Sequence, residues 1–183
     1  MAQTATNVAA SKPAVGGALS VAATTATLPT DATTALDPAF TSLGYISEDG
    51  ITEGINRESE DVKAFGGDVV LSTQTEFSNT FQCTLVESLN VDVLKEVFGS
   101  SNVSGALNSG IIVNVVSDEL SERAWVFDLV VRGAVERMVI PCGKITEIGE
   151  VSYTDSDLIG YDITITAFPD SSGKYQYKYI KES

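Results

Sequence analysis

The sequence predicts a mainly β protein, a β-sandwich or barrel with one flanking α-helix. Two observations carry this prediction: apolar residues recur with a period of two from Asp68 onward, and turn-forming residues separate the alternating runs. In one run, Trp125, Phe127 and Leu129 share a face while Asp128 lies on the other. The same alternation marks 81–85 and 161–166, and further strands are predicted at 69–77, 111–117, 135–142, 145–153 and 175–180.

Residues 1–40 are predicted to form an extended, flexible N-terminal arm. Twenty of these 40 positions are Ala or Thr, and the charged residues among them are Lys12, Asp31 and Asp37. So few large side chains bury too little apolar surface to offset the entropy lost on ordering. The chain therefore divides into the arm, 1–40, and a β domain, 41–183.

A long loop is predicted next, at about 44–67. This stretch is too long for a hairpin turn and too polar for a central strand, and long connections in compact domains are usually functional or mobile. Its spaced isoleucines, Ile46, Ile51 and Ile55, indicate that the loop covers an apolar surface.

One short helix interrupts the strand pattern, at about 90–98. Asn90 can cap its first turn and Gly99 can end it. Val91, Leu94 and Phe98 then fall on one face, which predicts that the helix packs against the β domain.

The composition excludes several classes of function. Twenty-five acidic residues against 11 basic ones give a net charge of −14, so the chain lacks the cations that bind nucleic acid or anionic membranes. It contains no histidine, the commonest general base and metal ligand. Cys83 and Cys142 form no CxxC pair and lie in apolar runs, which favours buried free thiols over a metal site or a disulfide.

The sequence also lacks the usual catalytic motifs. It contains no GxSxG, HExxH, Walker A or GxGxxG pattern. The segment 155–160 resembles the start of a calcium loop, but Ile159 replaces an oxygen ligand at the fifth position and Thr166 replaces the bidentate Glu at the twelfth. We therefore expect no enzyme activity, no cofactor and no metal.

Five segments in order resemble one protein family, the major tail proteins (tail tube proteins) of long-tailed bacteriophages. The resemblance covers about residues 12–100, and members often carry Trp where this chain has Phe65. The segments are Leu28–Ala32 (LPTDA), Leu43–Gly50 (LGYISEDG), Lys63–Asp68 (KAFGGD), the strand Phe81–Leu89 and the helix Val91–Gly99.

The resemblance implies a structural virion protein with a tail-tube-type fold. Such subunits polymerise as stacked rings, usually of six, into the tail tube through which DNA is ejected. The implied partners are further copies of the chain, a tape-measure protein and other tail proteins, with DNA passing transiently and without binding. The implied location is the virion tail, after synthesis in the host cytoplasm and without membrane association, and no catalytic residue is implied.

The arm and the long loop are the expected contacts between subunits. Phe65 is the expected anchor, because an aromatic residue beside two glycines can insert closely into a neighbour; an ordinary core position is the alternative. We also expect acidic residues to line the lumen and to repel DNA; the alternative is that the net charge only keeps the subunit soluble before assembly. The candidate inter-subunit residues are Ile46, Ile51, Ile55, Phe65, Gly66, Gly67 and Asp68.

Other readings stay open at this point. A head decoration protein or a tail terminator can share a small β fold, and would assemble as a trimer or a single ring. A cell-surface immunoglobulin-like binding module is a further alternative, although the sequence lacks the export signal and the repeats expected of one.

Overall fold

A computed structural model of the chain describes residues 8–14 and 17–182, which form eleven strands and one helix. The remaining residues of the predicted arm, 1–7 and 15–16, lie outside the described part. The elements are β1 (Ser11–Pro13), β2 (Leu19–Ala23), β3 (Thr41–Ser42), β4 (Thr52–Lys63), β5 (Val69–Leu85), α1 (Val91–Phe98), β6 (Val103–Ala106), β7 (Gly110–Val113), β8 (Arg123–Val131), β9 (Ala134–Ile148), β10 (Tyr161–Phe168) and β11 (Tyr177–Glu182).

Nine of these strands form one antiparallel sheet. Its order is β3-β2-β8-β9-β10-β5-β4, with β1 paired to β8 and β11 paired to β9, while β6 and β7 form a separate hairpin. The predicted strands 135–142 and 145–153 are joined in the single strand β9, which ends at Ile148. Pro141 is accommodated there because a register irregularity in the pairing with β8 releases it from the ladder.

The sheet curls around a single core, in agreement with the predicted fold class. The segment 41–47 connects its two halves: Leu43 N–H donates to the Leu19 carbonyl at 2.9 Å, and Ser47 N–H donates to the Thr84 carbonyl at 2.9 Å. Strands β2 and β5 are distant in the sheet order, so this segment bridges two parts of the curled sheet that do not pair with each other directly.

Aromatic side chains fill the enclosed core. Phe81 on β5 and Phe127 on β8 stack at a centroid distance of 5.5 Å, although their strands are not neighbours in the sheet. Trp125 is buried and its indole N–H donates to the Gly143 carbonyl at 3.0 Å. The alternating residues singled out in the sequence are therefore core residues, as their period of two predicts.

The predicted helix is confirmed, with a small shift of its buried face. Asn90 caps α1, its side-chain oxygen accepting from the Asp92 N–H at 3.0 Å. Val93, Leu94 and Val97 are buried, whereas Val91 and Phe98, two of the residues expected on the buried face, are partly buried at its border.

The predicted flexible arm requires correction. Strand β2 lies inside the sheet between β3 and β8, and its Leu19 and Val21 are buried. The residues that follow it lie over β8 and β9, where Ala32 is also buried. The backbone hydrogen bonds of the sheet and a few apolar contacts offset the entropy lost on ordering, which we expected to keep this segment flexible. Small side chains are therefore sufficient in this layer.

The predicted loop at about 44–67 also differs from the structure. Its second half, Thr52–Lys63, is the strand β4, which pairs antiparallel with β5 along a long hairpin. The alternation that reveals a strand requires one buried face, and both faces of this hairpin are exposed over most of its length. A polar composition therefore concealed a regular strand.

Candidate assembly surfaces

The β4–β5 hairpin extends from the domain as an arm. At its base, the Arg57 guanidinium lies 4.5 Å from the centre of the Phe77 ring, and Phe77 meets Tyr175 edge to face at 4.7 Å. Eight residues separate Arg57 from Phe65 at the tip, which at about 3.3 Å per residue is a reach of about 26 Å. We call residues 57–77 the hairpin arm.

A tight turn presents an aromatic side chain at the end of the arm. The Ala64 N–H donates to the Asp68 carbonyl at 2.8 Å, which closes the turn. Gly66 and Gly67 adopt φ values of 114° and 99°, a region that L-residues with side chains rarely enter, so the two glycines are required for this turn. Phe65 is fully exposed, and its assignment to the core, the alternative considered above, is wrong.

More apolar surface lies beside the tip. Exposed aliphatic side chains on both strands extend the patch around Phe65, and they are Val62, Val69, Val70 and Leu71. Exposed apolar side chains concentrated at one end of a protrusion usually mark an interaction site. The two ionic side chains that flank the turn are Lys63 and Asp68, one of each sign.

A cavity of about 920 Å³ opens elsewhere on the domain, between β1, the segment 44–51, the last residues of β8 and the first residues of β9. Its apolar lining includes Ile46, Ile51, Leu129 and Met138. Ile46 is fixed in place by a bridge to Leu85 on β5. The cavity is thus an opening into the apolar interior that the curled sheet encloses.

Charged side chains surround this cavity. Lys178 Nζ lies 3.1 Å from a carboxylate oxygen of Glu53 and 3.4 Å from one of Glu136, and all three residues line the opening. Partial burial alone would lower the pKa of Lys178, but the hydrogen bond and charge of Glu53, reinforced by Glu136, outweigh it and raise that pKa. Lys12, Glu48 and Glu87 also line the opening, so the lining holds four acidic and two basic side chains.

A polar sheet face forms the third surface. Side chains on β5, β10 and β9 that point away from the core carry hydroxyl and amide groups. The Gln82 amide donates to Thr164 Oγ1 at 3.2 Å, and the hydroxyls of Thr146 and Thr166 are 2.8 Å apart. Asp162 and Glu147 lie in the same register, opposite Thr84 and Thr164. We define this polar face as the outward side chains of residues 80–84, 144–147 and 162–166.

The structure divides the sequence-predicted contact residues between two surfaces. Ile46 and Ile51 line the cavity, whereas Ile55 is exposed near the base of the hairpin. The tip carries the other four, Phe65, Gly66, Gly67 and Asp68. Sequence reasoning missed Leu129 and Met138, whose alternation marks them as core without indicating an opening above them.

Three further features of the described residues concern metal binding, thiol chemistry and membrane spanning. Residues 8–14 and 17–182 contain no group of three Cys, Asp or Glu side chains arranged to hold a metal ion. Both cysteines are free thiols; burial raises the pKa of Cys83 to about 12 and that of Cys142 to about 11. Among these same residues, no helix has the length and apolarity needed to cross a membrane.

One protein-family model matches nearly the whole chain. The model of a family described as phage tail tube protein matches residues 3–183. A search of curated proteins gives no match. Among solved structures, the chain is similar to the one titled cryo-EM structure of the anti-feeding prophage cap (AFP tube terminating cap), at 10% identity, with a TM-score of 0.48 and coverage of 100% of both chains.

Proposed function

The chain belongs to the phage tail tube protein family, and we propose that its copies stack as rings of six into the hollow tube through which the phage genome is ejected. The family is a structural one, and membership implies self-assembly into a tail tube together with other tail proteins. The observation that carries the proposal is the family match over residues 3–183. Geometry supports it through the hairpin arm, whose apolar tip is exposed on the single subunit.

Ring closure requires surfaces that bind a neighbouring copy side by side. Strand β4 pairs only with β5 in the described residues, and β11 pairs only with β9. Each therefore offers a row of backbone donors and acceptors on its outer edge, which in a soluble monomer is a hazard and in a polymer is a binding site. We assign lateral contacts to these edges.

Contacts along the tube axis are assigned to the hairpin arm. An arm about 26 Å long extends beyond its own subunit, and Phe65 at its end supplies the apolar contact area. Gly66, Gly67 and Asp68 shape the turn that presents Phe65. Ile55, exposed at the base, is assigned to the surface that faces the neighbouring ring.

The lumen is assigned to the polar face. DNA must slide along the wall without being held, and this wall consists of hydroxyl and amide groups with Asp162 and Glu147. Its one lysine, Lys144, is paired with Glu119 at 2.8 Å, which offsets its charge toward phosphates. Repulsion by such carboxylates extends over a Debye length, about 8 Å at physiological salt. The net charge of −14 adds to the repulsion of DNA.

The remaining partners follow from this role. We propose that the subunit is synthesised in the host cytoplasm and becomes part of the virion tail. A tape-measure protein occupies the lumen during assembly, and DNA replaces it transiently at ejection. No cofactor or catalytic residue enters this function.

Negative-stain electron microscopy of the purified protein tests the proposal. The wild-type chain should form long hollow tubes or stacked rings. Phe65→Asp should abolish long tubes while leaving the subunit folded, because the side chain is fully exposed. Leu107→Asp is the matched control, an equally drastic change at another exposed apolar residue, in the turn between β6 and β7, and should leave tubes intact. Wild-type protein that stays dispersed at every concentration contradicts the proposed function.

A further inference from the structure

We propose that the open cavity is a socket for the hairpin tip of a second copy, with Phe65 as the inserted side chain. This inference rests on the proposed function and extends it, because it names the surface that receives the arm. It joins two features that the structure shows on one chain: an apolar side chain exposed at the end of a protrusion, and an apolar cavity open at the surface.

The dimensions of tip and socket correspond. The cavity, of about 920 Å³, can hold an aromatic side chain together with the turn that carries it. Gly66 and Gly67 add no side-chain bulk beside Phe65, so the backbone of the turn can follow the ring inward. The floor that would receive the ring consists of Ile46, Ile51, Leu129 and Met138.

The tip cannot occupy the socket of its own subunit. Glu53, at the start of the hairpin, lines the cavity, and Phe65 follows it 12 positions later, after paired strand as far as Lys63. At about 3.3 Å per residue the tip lies about 40 Å along the hairpin from that point. A paired hairpin does not fold back on itself, so a hairpin tip in this socket comes from another copy.

Charge is compatible with this occupant. Lys63 and Asp68 flank the turn, and the socket edge carries Glu48 as well as Lys12. Each ionic side chain of the tip therefore has an opposite charge available at the edge.

The contact is heterologous, which has a consequence for growth. Each copy presents one tip and one socket at different places, so binding leaves a free tip at one end of the assembly and a free socket at the other. Heterologous contacts that do not close on themselves give open-ended polymers. The proposed tube is therefore polar, with unoccupied sockets at one end only.

Disulfide trapping tests the socket directly. In assembled protein that carries Phe65→Cys and Ile51→Cys, mild oxidation should give a ladder of dimers, trimers and larger species on a non-reducing gel. Phe65→Cys alone should give no cross-linked species larger than a dimer. The matched control, Phe65→Cys with Leu107→Cys, should likewise give none larger than a dimer. The native thiols contribute little background because burial raises the pKa of both Cys83 and Cys142.

A fluorescent side chain gives a second measurement that needs no cross-link. Phe65→Trp should emit at shorter wavelength on assembly, because its indole moves from water into the apolar socket, whereas Leu107→Trp should not shift. Tubes that form normally without a ladder and without the emission shift overturn the socket while the proposed function stands. A wild-type chain that forms no tubes contradicts the proposed function itself.

Discussion

Arg137 holds the segment after β2 onto the sheet, so replacing it should destabilise the subunit. Its side chain is only 8% exposed, and its Nε and Nη2 atoms donate to the two carboxylate oxygens of Asp128 at 2.6 and 3.2 Å. Its Nη1 atom donates to the backbone carbonyls of Asp31 and Thr34, at 3.2 and 2.7 Å. One guanidinium therefore connects β8, β9 and the segment at 31–34.

The expected magnitude follows from the burial of the pair. Arg137→Met removes one partner of a buried ion pair, which typically costs about 3–5 kcal/mol. Asp128 keeps 23% of its side chain exposed and can recover some hydration, so the lower end of the range applies, about 3 kcal/mol. In a domain of this size, about 1 kcal/mol lowers Tm by about 2–4 °C, so we expect Tm to fall by about 6–12 °C.

Urea unfolding followed by the fluorescence of Trp125 measures this loss. We expect the Phe65→Asp background to keep the subunit from polymerising, so that a two-state analysis applies. Lys95→Met is the matched control: its partner Asp92 lies at 3.3 Å and both side chains are exposed, so the change should cost less than about 0.5 kcal/mol. If Arg137→Met costs no more than this control, the ion pair does not hold the segment and the reasoning is wrong.

Three further outcomes are expected. Hydrogen bonds from the Thr34 hydroxyl and backbone hold the pKa of Asp31 well below its usual range. The ionised carboxylate therefore stabilises the fold above about pH 4, and this stability is lost as the pH falls toward the lowered pKa. The urea midpoint should fall less between about pH 5 and pH 2 in Asp31→Asn than in the wild type. Cys83 should resist alkylation at about pH 8 until the chain unfolds, and Cys142 should react slowly, because burial raises both thiol pKa values; mass spectrometry with and without urea checks this, and rapid native modification of Cys83 would contradict it. Gly143→Ala should cost about 2 kcal/mol in urea unfolding, because the added Cβ would lie 2.9 Å from the indole of the single tryptophan; an unchanged midpoint would show that the core yields there.

The part of the fold that could be predicted is the part with one buried face. Phe81 on β5 and Ile163 on β10 alternate with polar neighbours because one side of each strand meets the core, and periodicity reports that difference directly. Helix α1 could be predicted because its cap, Asn90, and its final Gly99 are local signals. Strand β4 could not, since water lies on both of its faces and its sequence has no reason to alternate.

Long-range contacts explain the other differences. Strand β2 and the segment after it are ordered by β8 and by Arg137, which lies more than 100 residues further along the chain. The local composition, rich in Ala and Thr, gives no indication of the contact with Arg137. The LPTDA motif at 28–32 is also explained here, because Asp31 caps the turn that Arg137 holds.

Part of the candidate site could be predicted from the sequence. Phe65 stood out because two glycines follow it, and Ile46 and Ile51 stood out by their spacing in a polar stretch. Their division between a protruding tip and a cavity depends on the hairpin and on the curl of the sheet, neither of which a local pattern encodes. Leu129 and Met138 line the same cavity and look like ordinary core residues in the sequence.

A cryo-EM reconstruction of the assembled wild-type protein tests the central claim most directly. We expect a hollow tube of stacked rings in which each hairpin arm crosses to another copy and the polar face of β5, β9 and β10 borders the lumen. A closed particle, a solid filament, or a tube in which the arm stays against its own subunit would contradict the account.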